Sequence, residues 1–490
     1  MSESKKPGRA LSPRRARCGL VCAGLGVLAS SGAWAQAQSS ESEASARFLA
    51  WRVHFQAGVN AVAEQHLFWN LAEKAAPDSG YEPNKKWLES YIKPGLSVQQ
   101  PLAGEWILFG KLSSVASYTH GTDAFAGGNT GAVTLEDGYM GLRGQTDQGM
   151  GLELSVGPRD LKLGTGMLIA NGASSGFERG ALKFGPRKAW GMSGIAKLTA
   201  GGASGTAFFV DPNELPSSDG KNRLAGVDVR WDSPQGGFLG ATWLRALNSE
   251  SPYVQAAPGG QGAPTILSGA RHGTSVLSAY TATGQLTGPL ASWQFAADLA
   301  YQWNDTVQLR AWAGRLRVKY SWAQLPWAPN LSYSYQSFSG DDPNTSKLER
   351  FDPMYYEGNP SAWSTGSKSS MAFVNSNVNA HLLALQLKPT DMDVLTLRYA
   401  LIRANQLRSP IQFGQATRFE TSGDAANLVA GVTSPGLAKD VFLEYSRVLS
   451  RHLFLSGGIA LSLPGQGIRD VVGGHTPTWS GGYLNLVLDY

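Results

Sequence analysis

Arg315, Arg317 and Lys319 occupy alternate positions of one short stretch. In a β-strand alternate side chains share a face and lie roughly 7 Å apart, so the three would form a row of positive charge. Arginine meets a carboxylate through two parallel hydrogen bonds, and a row of this kind in contact with water could hand an anionic group from one cation to the next. The plainer chemistry is bracing, in which each cation pairs with an acid on a neighbouring strand. Both readings are open on the sequence.

Other patterns invite enzymatic readings. Gly172-Ala173-Ser174-Ser175-Gly176 matches the G-x-S-x-G nucleophile elbow, which works only on a sharp strand-to-helix turn; here it lies in a Gly-rich connection, and a chance match is the better account. His54, with a Ser or Asp on a neighbouring strand, could serve a hydrolase, but a lone His on a polar face is more often an ordinary wall residue. Asp341-Asp342 lacks the spacing of a calcium loop and reads as a solvated turn. No catalytic residue, metal or cofactor is expected.

The elements that position these side chains read as strands. In Trp293 to Trp303 the large apolar residues fall on one face and Gln294, Asp298 and Gln302 on the other. From Trp312 to Trp322 the apolar set alternates with Arg315, Arg317 and Lys319. Trp51/Val53/Phe55, Trp106/Leu108/Leu112, Val227/Val229/Trp231, Leu395/Leu397/Tyr399 and Val441/Leu443/Tyr445 repeat the pattern. With 59 Gly, 15 Trp, 16 Tyr and 18 Phe and no apolar run long enough for a spanning helix, this is the signature of strands with one face to lipid and one to water. The fold class predicted is all-β: a transmembrane antiparallel β-barrel of about 18 strands.

Connection lengths and chain ends agree. Long gaps at 60–86, 159–186, 248–273, 339–378 and 404–438 alternate with short ones such as 99–104, 232–236, 389–392 and 450–451. With both termini in the periplasm the long gaps fall outside; only Asn304-Asp305-Thr306 is a tight turn on the outer side. The last strand, Leu484 to Tyr490, ends on an aromatic residue and resembles the closing strand of an outer-membrane barrel, which implies recognition by the barrel assembly machinery. Residues 1–35 carry a basic stretch from Lys5 to Arg17, an apolar Leu20 to Leu28 and a small-x-small end at Ala33-Trp34-Ala35, a secretory signal peptide. Residues 36–490 are expected to form a single barrel domain with long extracellular loops. The leader takes six of 42 basic and one of 37 acidic residues, leaving 36 of each, and both cysteines, Cys18 and Cys22. A near-neutral, cysteine-free mature chain excludes nucleic-acid binding by bulk charge and thiolate chemistry.

The runs Leu154 to Ile169 and Arg187-Lys188-Ala189-Trp190, then Arg350 to Tyr356, Asn375-Ser376-Asn377 and His381 to Leu387, resemble the alginate export family of outer-membrane porins. The resemblance implies a monomeric barrel of about eighteen strands, in outer-membrane lipid and lipopolysaccharide, whose lumen is constricted by charged side chains and loops. It also implies passive passage of an anionic polysaccharide or smaller anionic solutes. Alternatives are a general porin for small organic solutes and, remotely, a barrel-embedded hydrolase. Assigning the larger apolar set to lipid turns Arg52, Lys93, Lys111, Lys197, Arg230, Arg315, Arg317, Lys319, Lys388 and Arg398 inward, with Glu89, Glu153, Asp228, Asp298, Asp440 and Glu444. The wall is mixed and leans basic, and the loops at 339–378 and 404–438 are candidates for folding inward.

Overall fold

The computed structural model describes residues 49–75, 80–125, 128–146, 148–358, 363–412 and 431–490, with two-residue pieces at 421–422, 425–426 and 428–429. The predicted leader and residues 413–420, 423, 424, 427 and 430 of the predicted 404–438 constriction lie outside the described residues. Eighteen strands build the wall: β1 (Ala50–Gln65), β2 (Lys85–Pro101), β3 (Ile107–Gly121), β4 (Thr130–Gln145), β5 (Gly151–Val156), β6 (Met192–Ala200), β7 (Ala203–Asp211), β8 (Arg223–Asp232), β9 (Phe238–Asn248), β10 (Ser275–Ala282), β11 (Trp293–Asn304), β12 (Leu309–Ser321), β13 (Asn330–Phe338), β14 (Val378–Thr390), β15 (Asp393–Ala404), β16 (Gly436–Ser450), β17 (Leu453–Pro464) and β18 (Trp479–Asp489). Each pairs antiparallel with the next, and β18 returns to β1 with Asp489 opposite Gln56. At the seam Phe55 and Tyr490 exchange both backbone hydrogen bonds at 2.8 Å. Closure leaves no strand edge to be satisfied in lipid.

Alternation decides which way each side chain points. Leu88, Leu112, Leu154, Leu299, Leu316, Leu443, Ile459 and Leu484 are exposed on the outside, where hydrocarbon would cover them. Their neighbours in sequence turn into the lumen. The short connections and both ends of the barrel chain lie at one rim. At the other rim are the long loops, among them 66–84, 157–191, 249–274 and 339–377, together with the tight turn after Asn304. The apolar core is not in the wall but inside the loop half of the barrel, where Trp69, Trp190, Phe351, Trp363, Phe373 and Trp479 are fully buried. The loops therefore fold into the lumen rather than standing clear of it.

Candidate functional site: a loop-crossed lumen

The lumen owes its charge arrangement to one irregularity in β4. The ladder between β3 and β4 shifts register after Leu112/Gly138 and resumes at Ser114/Leu135. A bulge of this kind lets two consecutive residues face the same way, and Glu136 and Asp137 both turn inward and are buried. Glu136 takes Lys93 at 3.0 Å and Asp137 takes Lys111 at 2.9 Å. Asp137 also accepts the Ser113 hydroxyl at 2.6 Å.

Those paired charges seat the loop that follows β5. Gly157 begins it with φ 119°, where a Cβ would lie 2.4 Å from the Gly138 carbonyl; the left-handed turn and the close approach both require glycine. From there residues 157–191, the loop L3, leave the wall. Arg159 stays against it, bound to Glu153 at 2.8 Å and Ser155 at 2.6 Å. Thr165 then reaches the far wall, where its hydroxyl donates to Asp298 on β11. The returning half docks back on β2 to β4. The backbone N–H groups of Lys183 and Phe184 donate to Glu89 at 2.9 and 3.0 Å, and that of Lys188 donates to Glu136 at 2.9 Å. Arg187 donates to Thr134, Ser117 and the Ala132 carbonyl, and its burial pushes the guanidinium down to about 10. L3 thus spans the lumen from wall to wall.

A second loop, L7 (339–377), crosses from the opposite side and locks onto the first. Tyr355 N–H donates to the Leu168 carbonyl at 2.9 Å, Glu357 N–H to the Gly166 carbonyl at 2.9 Å, and the Trp363 indole to the Thr165 carbonyl at 3.0 Å. Its base is anchored by Asp352, which receives two hydrogen bonds from Arg271 at 2.6 and 2.9 Å in a fully buried pair. Burial opposes the Arg271 charge, but Asp352 and Tyr355 more than offset it and the guanidinium is held above its usual range. At the tip, Lys368 donates to Glu64 on β1, while Asp440 on β16 accepts from the N–H and hydroxyl of both Ser367 and Ser369. The expectation that 339–378 folds inward is met.

The inward-facing cations of the sequence reading separate into two kinds. Lys93 and Lys111 are taken up by the bulge. Arg230 pairs with Asp232, two residues along its own strand, at 2.6 Å rather than across the ladder, and Arg398 pairs with Glu444 at 3.0 Å. Arg315 is buried against Asp298 at 2.8 Å, with its guanidinium 3.8 Å from the centre of the Trp363 ring. Arg52, Lys197, Arg317, Lys319 and Lys388 face inward with no carboxylate partner among the described residues. Lys197 is opposite Glu153 in the ladder, but that acid turns to Arg159.

Comparison with known proteins now bears on these features. Residues 259–473 match the family model for alginate export. The second of the two resembling stretches, around Arg350 to Leu387, lies inside this match, and the first, Leu154 to Trp190, lies before it. No curated protein matches the chain in sequence. Among solved structures, Acinetobacter baumannii OccAB1 is 8% identical over 92% of this chain and 99% of its own, with a TM-score of 0.53. Pseudomonas aeruginosa OccK5 (OpdH) is 9% identical over 89% of this chain and 98% of its own, with a TM-score of 0.48. OccK7 (OpdD) of the same organism is 9% identical over 90% and 98%, with a TM-score of 0.47. The likeness is one of fold. With the closed 18-strand wall, the fold likeness to OccAB1 makes the chain a bacterial outer-membrane β-barrel, and the alginate export match over residues 259–473 supports a channel.

The residues first considered for catalysis have other employment. Ser174 lies in L3, where only a three-residue turn of 3-10 helix, Phe177–Arg179, follows it, so there is no nucleophile elbow. His54 meets Ser97 at 2.8 Å in the lumen, but no carboxylate hydrogen-bonds its ring among the described residues. Asp341 accepts the Ala256 and Glu349 N–H groups at 2.6 and 2.7 Å, and Asp342 caps Asn344 at 2.9 Å; both brace loops. Sequence reasoning missed Glu136 and Asp137, Arg159, Asp160 and Lys188 on L3, and Arg271 with Asp352. The adjacent acids before Gly138 were the available signal, since they break the alternation of an otherwise regular strand.

Proposed function

We propose that the protein is a passive outer-membrane channel that favours anionic solutes, with an anionic polysaccharide of the alginate kind as its candidate cargo. The observation that carries this is the imbalance of unpaired charge. Glu136, Asp137, Glu153, Asp232, Asp298 and Glu444 are each engaged by a cation, while Glu89, Asp228 and Asp440 are buried and held by neutral donors. Arg52, Lys197, Arg317, Lys319 and Lys388 face lumen water without a carboxylate among the described residues. Paired charges cancel at the distance of a passing ion, while unpaired ones set the potential of a water-filled passage. Arg317 and Lys319 then act as adjacent rungs for carboxylates, while Arg315 braces the wall.

On this reading residues 36–490 form one barrel after removal of the leader, work as a monomer among lipopolysaccharide and lipid, and are inserted by the assembly machinery through the strand ending at Tyr490. Planar-bilayer recordings of the purified protein in a salt gradient test it. A reversal potential on the anion side is expected; a cation preference overturns the proposal. Facilitated movement of uronate oligomers across proteoliposomes, against none for neutral sugars of equal size, separates the polysaccharide cargo from a general porin for small organic solutes.

A further inference from the structure

We propose that Asp160 is a specificity-determining residue of the channel, an opposing charge that limits the anion preference and makes it pH-dependent. The inference rests on the channel reading above and adds to it a residue of the opposite sign.

The geometry comes from L3. After the turn at Gly157, Arg159 is turned back to the wall by Glu153 and Ser155, and its guanidinium lies 4.8 Å from the centre of the Tyr139 ring. Asp160, the next residue, is exposed to solvent and has no hydrogen bond or ion pair among the described residues. It is nevertheless closely surrounded. Lys93 of β2, Glu136 and Asp137 of the β4 bulge, and Lys188 of the returning half of L3 all act on its carboxyl, and Tyr139 lies near enough to feel its charge. Solvent access in such crowded surroundings describes a group lining the internal passage, not the outer surface. Lys93 is committed to Glu136, and Lys111 to Asp137. The carboxylate therefore faces the passage without a direct ion pair among the described residues, its charge tempered only at a distance by Lys93 and Lys188.

Its titration follows from the same surroundings. Desolvation by the wall and loop crowded around this solvent-reached carboxyl raises its pKa from the ordinary aspartate value, Glu136 and Asp137 push in the same direction, and Lys93 and Lys188 oppose them. A raised value moves protonation to a milder acidity than an exposed aspartate would need. On acidification the opposing charge disappears while Arg317, Lys319 and the other cations keep theirs, so anion preference rises. At close range in water one unit charge changes the permeability of a passing anion by roughly fivefold.

The test is a set of reversal potentials in planar bilayers, from about pH 7 to about pH 4, for the wild type, Asp160→Asn, Asp160→Glu and Glu153→Gln. The wild type should gain anion preference on acidification. Asp160→Asn should show the higher ratio already at neutral pH and a flat profile, Asp160→Glu should restore the wild-type behaviour, and Glu153→Gln should keep the pH dependence. Asp160→Ser replaces Asn if that variant fails to insert. An Asn or Ser variant with the wild-type ratio and pH profile overturns the assignment, as does a pH dependence lost in Glu153→Gln instead. A wild type that prefers cations throughout fails differently, because it removes the channel reading itself.

Discussion

Two walls of the same lumen handle positive charge in opposite ways. Along β2 to β5, Lys93 and Lys111 of the wall and Arg159 at the start of L3 each end on a carboxylate within 3.0 Å. These pairs lie where L3 docks. Over β12 to β14, Arg315 is the one inward-facing cation among the described residues that is pinned, by Asp298 and Trp363 beneath the crossing loops. Arg317 and Lys319, further along the same strand towards the turns, and Lys388 on β14 have no acid partner among the described residues. A charge covered by a loop must be paired or, like Arg187, held by several hydrogen bonds, because burying it alone costs several kcal/mol. A charge left in lumen water has no such requirement, since an exposed pair contributes at most about 1 kcal/mol. Loop cover, not strand position, separates bracing cations from those available to a solute.

The largest expected effect tests that division on one strand. In Arg315→Gln, Asp298 keeps a buried charge without its guanidinium, and the Thr165 and Trp363 contacts of L3 and L7 lose their support. A loss of about 3–5 kcal/mol is expected, visible as a lower denaturant midpoint and earlier loss of the compact band on unheated gels. Arg317→Gln, two residues along, should leave both measurements unchanged. Equal destabilisation by the two variants would erase the distinction drawn between covered and open cations.

Selectivity should show the reverse ranking. Replacing Arg317, Lys319 and Lys388 together by Gln is expected to lower the anion-to-cation permeability ratio by on the order of a hundredfold. Removing a whole pair from the other wall, Lys93→Met with Glu136→Gln, changes no net charge and should leave reversal potentials close to the wild type. A larger shift from the paired wall would mean that the bulge, rather than the β12 to β14 face, sets the field.

The strands were legible because membrane strands expose their period directly. From Trp293 to Trp303 an apolar face alternates with Gln294, Asp298 and Gln302, and the observed strand is Trp293–Asn304. Loop parity was legible for a similar reason, since turn residues cluster in short gaps. The bulge was not, because one extra residue reverses the facing of everything after it and no single window reveals which side of Gly138 is correct. Nor was the path of L3 across the lumen: it depends on Thr165 meeting Asp298 and on Trp363 meeting the Thr165 carbonyl, contacts between residues 133 and 198 positions apart. The loop at 339–378 could be anticipated as a constriction by its length, but its anchor, Arg271 with Asp352, is a long-range pair with no local pattern.

The smallest expected effect extends the comparison to the tip of L7, where another cation is covered. Lys368 is bonded to Glu64, and its burial lowers it to about 8, although Glu64 acts in the opposite direction. Its folded value is therefore below the ordinary lysine value of 10.5. Below about pH 8 both the folded and unfolded chains hold this proton, so Lys368 contributes no slope. Between there and the ordinary value the unfolded chain holds more proton than the folded one, so stability from this group rises with pH. The rise is at most about 1 kcal/mol per pH unit and should appear in denaturant midpoints measured in detergent across that window. Lys368→Met should flatten it, whereas Lys388→Met, which removes an open cation, should not. If the rise survives in Lys368→Met, the covered lysine at the tip is as well solvated as the open ones, and loop cover does not explain which charges this lumen pairs.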